Sequence, residues 1–303
     1  MKSWFFLMMM ASPFLYAQNN VALFHTEGKA AFYYDEFTPD VTVAPFELLQ
    51  GMIVVQAQVN GHAGSFILDT GAPSMVIDKK EKSGGSITAM GVGGGMTVGK
   101  TELREFTFGN IHRKGLESYV LDISQLELSC GRDLMGLIGY DVLQQYEILF
   151  DFSQQTIHLY PAKEAAKFHK RKATKAIPFV QHGHLPVVAV KIGGKKAFLG
   201  LDSGAAVNLL GQEYLPQLDN SHLSDVCEEW LTGLDNKKQL AIAADVRQTS
   251  IAGNDFSTMR YLFTDMAPVA EHLGARLDGL LGYPFFKSQK ISINYKKRKI
   301  YVW

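Results

Sequence analysis

The sequence predicts an all-β protein built from two homologous lobes, and three observations predict it. One turn occurs twice: FILDTGAPSMVID around Asp69 and FLGLDSGAAVNLL around Asp202, each an apolar run ending in Asp-Thr/Ser-Gly before a second apolar run. The turns sit inside longer repeats that hold register. At the offset 202 − 69 = 133, Pro45-Phe46 falls on Pro178-Phe179, Val54-Val55 on Val187-Val188, Gly61 on Gly194, Leu68 on Leu201 and Ala72 on Ala205. A later block matches at offset 143: GLIGYDVL (136–143) against GLLGYPFF (279–286), continued by ILFDFSQQTIHLY (148–160) against ISINYKKRKIYVW (291–303). Register kept at both ends of each half marks a duplication, with about ten more residues inside the second copy. The third observation is periodicity: MIVVQAQVNGHAGSFILD and PVVAVKIGGKKAFLGLD alternate and then run apolar around a Gly turn, as hairpins do.

Along the chain, Lys2 precedes WFFLMMMASPFLYA, and Ala17 stands before the polar QNN. Residues 1–17 read as an export signal, too short to span a bilayer, and no later stretch approaches ~20 apolar residues. The expected mature protein is exported, periplasmic or secreted, with no membrane anchor. Residues 18–43 form an N-terminal extension whose Phe, Tyr and Val runs are expected to add a strand without carrying chemistry. The first lobe spans 44–160 and ends in a hairpin turning at 153–155. A partly helical linker, PAKEAAKFHKRKATK (161–175), leads to the second lobe, 176–303. Short helices are expected after Gly139 and Gly282. The basic run Lys296–Lys299 reads as the solvated tip of the last hairpin, because its counterpart Ser153–Thr156 is uncharged.

The 303 residues suit two lobes of ~110–130, each able to bury a core. Thirty basic and thirty acidic residues leave no electrostatic footprint for nucleic acid or a membrane surface. Cys130 and Cys227 stand at non-equivalent positions and read as unpaired. A disulfide between them stays open, since spacing does not supply geometry. The nine His residues show no metal-ligand spacing with Cys, and His182 and His184 fall in a polar turn that reads as exposed. No metal or organic cofactor is expected. GGMTVGKT (94–101) satisfies the phosphate-loop pattern literally, but that loop needs a helix starting at its Lys. TELREFTFGN follows instead and reads as strand, so no nucleotide is expected.

The chemistry lies in the repeated turn. A carboxylate ends a strand, a hydroxyl beside it is placed to knit two loops together, and a Gly lets the backbones approach. When two such loops meet, both carboxylates cannot ionise at close range, so they share a proton. One then deprotonates a water attacking a carbonyl, while the other donates to the developing oxyanion. Asp69 and Asp202 are the candidate catalytic pair, Thr70 and Ser203 the braces, and Gly71 and Gly204 the close-approach positions. Both carboxylates lie in one chain, so a monomer suffices.

Both turns, with GLIG and GLLG downstream in the same order, resemble the aspartic protease superfamily of pepsins and retropepsins over about residues 45–303. The resemblance implies a bilobal all-β fold, an extended polypeptide in the cleft, and Gly139 and Gly282 packed behind the aspartate loops. It also implies a flap at AMGVGGGMTVG (89–99), with Gly91, Val92, Gly93 and Gly94 at its tip. LTGLDNKKQ (231–239) is no match for such a tip, so a single flap is expected, on the first lobe. Ala72 and Ala205 stand where pepsins carry a hydroxyl that bonds the carboxylate. Losing that donor moves the expected optimum to pH ~5–6.5 instead of ~2. The expected activity is an aspartic endopeptidase using water. The alternative is a catalytically inactive peptide- or partner-binding protein on the same fold, since Gly200 replaces Ile67 beside the second turn and small carboxylate shifts abolish rate. A third reading is a latent precursor whose segment 18–43 covers the cleft.

Overall fold

A computed structural model describes residues 19–21, 24–26, 41–80, 85–91, 94–169, 172–233 and 237–303. The expected signal segment 1–17, most of the extension, and Val92 and Gly93 lie outside the described residues. Burial follows the repeat residue by residue. Strand Met52–Val59 has four buried residues and then alternates, and its repeat Leu185–Ile192 has the same pattern. The apolar half of each strand is covered on both faces, and the alternating half has one face in water.

Each half of the repeat builds a nine-stranded sheet with one strand order. In the first the order is Phe24–Thr26, Gly85–Gly91, Gly94–Phe108, Ile111–Leu121, Val76–Asp78, Gly136–Ile138, His62–Leu68, Met52–Val59, Glu47–Leu49. The second runs Asn19–Val21, Leu223–Gly233, Lys238–Ile251, Asn254–Thr264, Asn208–Gly211, Gly279–Leu281, Lys195–Leu201, Leu185–Ile192, Val180–His182. Each sheet curls until its long strand, Gly94–Phe108 or Lys238–Ile251, pairs again with Met52–Val59 or Leu185–Ile192. This closure makes each lobe barrel-like and removes most free edges.

A six-stranded sheet joins the lobes through the antiparallel pair Tyr146–Asp151 and Ile291–Asn294. Leu149 pairs with Ser292, its own counterpart at 292 − 149 = 143, so a pseudo-twofold axis passes through that pair. Aromatic side chains repeat the symmetry across the lobes. Tyr140 meets Tyr295 edge-on at 5.0 Å between ring centroids, with Phe179 at 6.2 Å. Their counterparts Tyr283, Phe152 and Phe46 pack at 5.9 and 5.3 Å. The largest core cluster runs through both lobes, from Phe46 and Phe66 to Phe285 and Ile300. Among the described residues no helix is long and apolar enough to cross a membrane.

The structure departs from the sequence reading in several places. The extension contributes two short strands, one to each lobe: Asn19–Val21 runs parallel to Leu223–Gly233, and Phe24–Thr26 runs antiparallel to Gly85–Gly91. Three residue steps, at most ~11 Å of chain, separate Val21 from Phe24, so the two hairpins are close neighbours. The second lobe has a hairpin of its own, Leu223–Gly233 and Lys238–Ile251, at the sheet positions that Gly85–Gly91 and Gly94–Phe108 take in the first. Helices follow Gly139 and Gly282 as expected, at Tyr140–Leu143 and Tyr283–Ser288. Two more, Ser124–Cys130 and Ala267–Leu273, were not anticipated; both end on a left-handed Gly, Gly131 and Gly274, at offset 143. Residues 94–101 lie within strand Gly94–Phe108, where no helix N-terminus can cradle phosphate. The two cysteines are free, Cys130 buried and Cys227 exposed, and 296–299 are exposed at their turn. His184 is 3 % exposed, against the expectation of a solvated turn.

Candidate active site

Strands His62–Leu68 and Lys195–Leu201 end at Asp69 and Asp202, and the downstream glycines make room behind them. Gly136–Ile138 runs parallel to His62–Leu68 and antiparallel to Val76–Asp78, threading between the two arms of the aspartate loop. A Cβ at Gly136 would be driven into the Val76 carbonyl, and one at Gly139 into that of Ser74. Gly279 and Gly282 face Leu209 and Val207 in the same way. Asp69 N–H donates to the Ile138 carbonyl (3.0 Å) and Tyr140 N–H to that of Ala72 (2.9 Å). Asp202 to Leu281 (3.0 Å) and Tyr283 to Ala205 (2.8 Å) repeat the pattern. The Gly of each apolar-apolar-Gly signature is thus the residue that lets a strand pass directly behind the loop.

Four hydrogen bonds tie the loops to each other. Thr70 N–H donates to Ser203 Oγ (3.0 Å), and Ser203 N–H donates to Thr70 Oγ1 (2.9 Å). The two hydroxyls in turn donate across the lobes, Thr70 Oγ1 to the Leu201 carbonyl (3.2 Å) and Ser203 Oγ to that of Leu68 (2.7 Å). Both hydroxyls are buried and used as donor and acceptor, so each bond also avoids an unsatisfied group. Gly71 and Gly204 are where the loops meet: an added Cβ at either would lie 2.5 Å from the Cγ of the opposite aspartate.

The two carboxyls are fully buried. Asp69 Oδ1 accepts from Gly71 N–H (2.8 Å) and Ala72 N–H (3.0 Å), and Asp202 Oδ1 accepts from Gly204 N–H (2.8 Å). Both Oδ2 atoms are buried without a protein donor among the described residues. Burial pushes Asp202 up to about 6. Burial, and then the charge of Asp202, holds Asp69 well above the usual carboxylate range. A proton held between the carboxyls relieves both problems, since it turns one orphan acceptor into a donor and removes the like-charge repulsion.

Gly91 and Gly94 close the ladder between strands Gly85–Gly91 and Gly94–Phe108 as its last pair, so the Gly-rich segment does form a hairpin. Val92 and Gly93, between them, lie outside the described residues. Two residues near the dyad were given no role at the site from the sequence. Tyr295 is buried, its hydroxyl has no partner among the described residues, and burial, then Tyr140, Asp69 and Asp202, raise its pKa well above the usual range. His184 Nε2 lies 2.7 Å from the Gly71 carbonyl. Alignment at the two offsets points to both, since Tyr295 answers to Phe152 and His184 to Gly51.

Residues 55–142 match the family model for aspartyl protease, from strand Met52–Val59 through the Asp69 loop to the helix after Gly139. The match assigns this segment to the aspartyl proteases of the retropepsin and pepsin superfamily. No curated protein matches the sequence. The matched aspartyl protease segment lies in the first lobe, and the second lobe repeats its strand order and its loop hydrogen bonds. The matched family implies a polypeptide substrate.

Proposed function

We propose that the chain is an aspartic endopeptidase in which Asp69 and Asp202 activate a water between them. The observation that carries the reading is the pair of fully buried carboxyls, from loops braced by the Thr70–Ser203 exchange, whose Oδ2 atoms have no protein donor among the described residues. The ionised carboxylate takes a proton as the water oxygen bonds to the peptide carbon, and the protonated one donates to the carbonyl oxygen. Collapse of the tetrahedral intermediate breaks the C–N bond, and the amine leaves with a proton returned through the dyad. The hairpin through Gly91 and Gly94 supplies a roof, and export by residues 1–17 places the enzyme in a periplasm or outside the cell. Mature protein incubated with a diverse peptide library across about pH 3–7 tests the reading: internal cleavage supports it. Peptide binding without cleavage would leave an inactive binding protein on this fold.

The pH profile is a separate expectation. The singly protonated pair is the active form, so activity falls when it takes a second proton and when it loses its only one. Burial raises both carboxyls, and the methyls of Ala72 and Ala205 offer no hydroxyl donor to oppose it. A bell in kcat/KM centred at pH ~5–6.5 is expected. A single optimum near pH 2 would contradict it.

One observation favours a latent form of the same enzyme. Asn19–Val21 and Phe24–Thr26 pair with edge strands of the two opposing hairpins, using backbone groups that an extended peptide would seek. A chain beginning near residue 41 is expected to show kcat/KM raised about 3- to 10-fold, the gain from freeing edges that are otherwise 70–90 % occupied. Steady-state kinetics on both forms checks this, and an unchanged KM removes the strap from the substrate path.

A further inference from the structure

The hairpin turns at 50–51 and 183–184 occupy equivalent places in the two lobes, and each reaches the aspartate loop of the other. In the first lobe Gln50 and Gly51 both have positive φ (50° and 82°), and Gly51 lies against Ala206, whose Cα an added Cβ would meet at 3.1 Å. At the second lobe's turn Gly183 has positive φ (58°) and residue 184 does not. The next residue is His184, 3 % exposed, with Nε2 at 2.7 Å from the Gly71 carbonyl. A carbonyl oxygen only accepts, so Nε2 carries the proton in this contact. The contact falls on a single peptide unit: the carbonyl of Gly71 and the N–H of Ala72, which donates to Asp69 Oδ1 at 3.0 Å.

We infer that His184 is a positioning residue of the dyad, acting from the second lobe through the Gly71–Ala72 peptide on Asp69. A donor on the carbonyl draws electron density away from the amide nitrogen, so the Ala72 N–H becomes a stronger donor to the carboxylate. The same bond fixes the peptide plane, and with it the direction of that N–H. Gly51 gives the Asp202 loop no side-chain counterpart, so the two halves of the dyad are unequal although their loops are repeats. The effect is to ease the ionisation of Asp69, the carboxyl that the charge of Asp202 holds protonated, and so to set the basic limb of the activity. Other titratable groups reach this region by different routes. Tyr295 feels both carboxylates and packs on Tyr140, while Asp141, influenced by Arg113, holds Ser74 Oγ and Met75 N–H farther along the loop. Among the described residues none of these bonds the Gly71 carbonyl.

The inference rests on the proposed peptidase reading, and its test has one arm that does not. His184→Leu keeps bulk without a donor, and His184→Gln restores an N–H near the position of Nε2. In kinetics, His184→Leu is expected to lower kcat/KM at pH 5 by about five- to tenfold, the weight of one hydrogen bond, mainly in kcat. Its basic limb should move up by about half a pH unit, with His184→Gln recovering most of both. In parallel, ¹³C-carboxyl NMR titration of the dyad should show the upper apparent pKa rising in His184→Leu and returning in His184→Gln. A wild type that cuts no peptide sinks the peptidase reading yet leaves this titration decisive. A His184→Leu variant with lowered Tm and an unmoved titration overturns the inference and makes His184 a packing residue.

Discussion

Asp202→Asn is expected to lose peptidase activity by at least ~10³-fold while gaining stability at neutral pH, and Asp69→Asn to do the same. The loss follows from the mechanism: an amide can neither take the proton from water nor return it, and positioned acid–base groups contribute ~10²–10⁴ each. The gain follows from burial. Asp202 titrates at about 6 in the folded protein against 3.8 for an ordinary Asp, so between those values the native state binds more protons than the unfolded one. Stability from the neutral carboxyl is fully present below about pH 4 and is lost as pH rises through about 6. At pH 7 the deficit reaches up to about 3 kcal/mol. Asparagine stays neutral throughout, and its Oδ1 can still accept from Gly204 N–H. Thermal melts of wild type and both variants from pH 4 to 8 check this, with Tm values converging at the acid end and the variants several degrees higher at pH 7. Full activity in either variant would end the dyad mechanism. Lost activity with a Tm below wild type at pH 7 would show that the pair is not a buried burden.

The duplicated motifs were legible because each is enforced by backbone geometry. Asp-Thr/Ser-Gly needs a hydroxyl and a missing Cβ at the meeting point of the loops, and GLIG and GLLG need glycines where a strand passes behind them. No other side chains satisfy those contacts, so the letters persist in both halves. Helices Ser124–Cys130 and Ala267–Leu273 are just as equivalent in space, but they share little beyond the terminal glycine, because a short surface helix asks only for a few apolar contacts and a left-handed stop. The second-lobe hairpin was missed for a related reason. Its place is set by pairing along Leu223–Gly233 and Lys238–Ile251, which many sequences satisfy, whereas the reading looked for glycines at the tip. His184 looked like any polar turn residue because its environment comes from the other lobe, 113 positions away. The strands at Asn19–Val21 and Phe24–Thr26 are three residues each, and which edges they join depends on how close the two hairpins come.

Gly71→Ala and Gly204→Ala are expected to remove activity by ~10²-fold or more and to destabilise the fold by ~1–3 kcal/mol, although each adds a single methyl. Neither glycine has a positive φ, so the backbone itself would accept alanine. The obstacle is the opposite carboxyl: the methyl at 71 would lie 2.5 Å from Asp202 Cγ, and the methyl at 204 would lie 2.5 Å from Asp69 Cγ. Those carboxyls cannot swing aside freely, because Gly204 N–H holds one and Gly71 and Ala72 N–H hold the other. The loops must therefore separate, which lengthens the Thr70–Ser203 bonds and moves the two carboxyls apart. A shift of about 1 Å at the reacting groups is enough for a hundredfold loss. Gly194→Ala supplies the control: its φ of 78° makes alanine costly, yet nothing lies within 4 Å of the new methyl. It should lower Tm through backbone strain of about 1–2 kcal/mol and leave kcat/KM near wild type. If Gly71→Ala and Gly194→Ala lose activity in proportion to the Tm each loses, the glycines of the dyad loops serve stability alone. Loss of activity in Gly71→Ala at a Tm shared with an active Gly194→Ala shows that the missing Cβ sets the distance between the carboxyls.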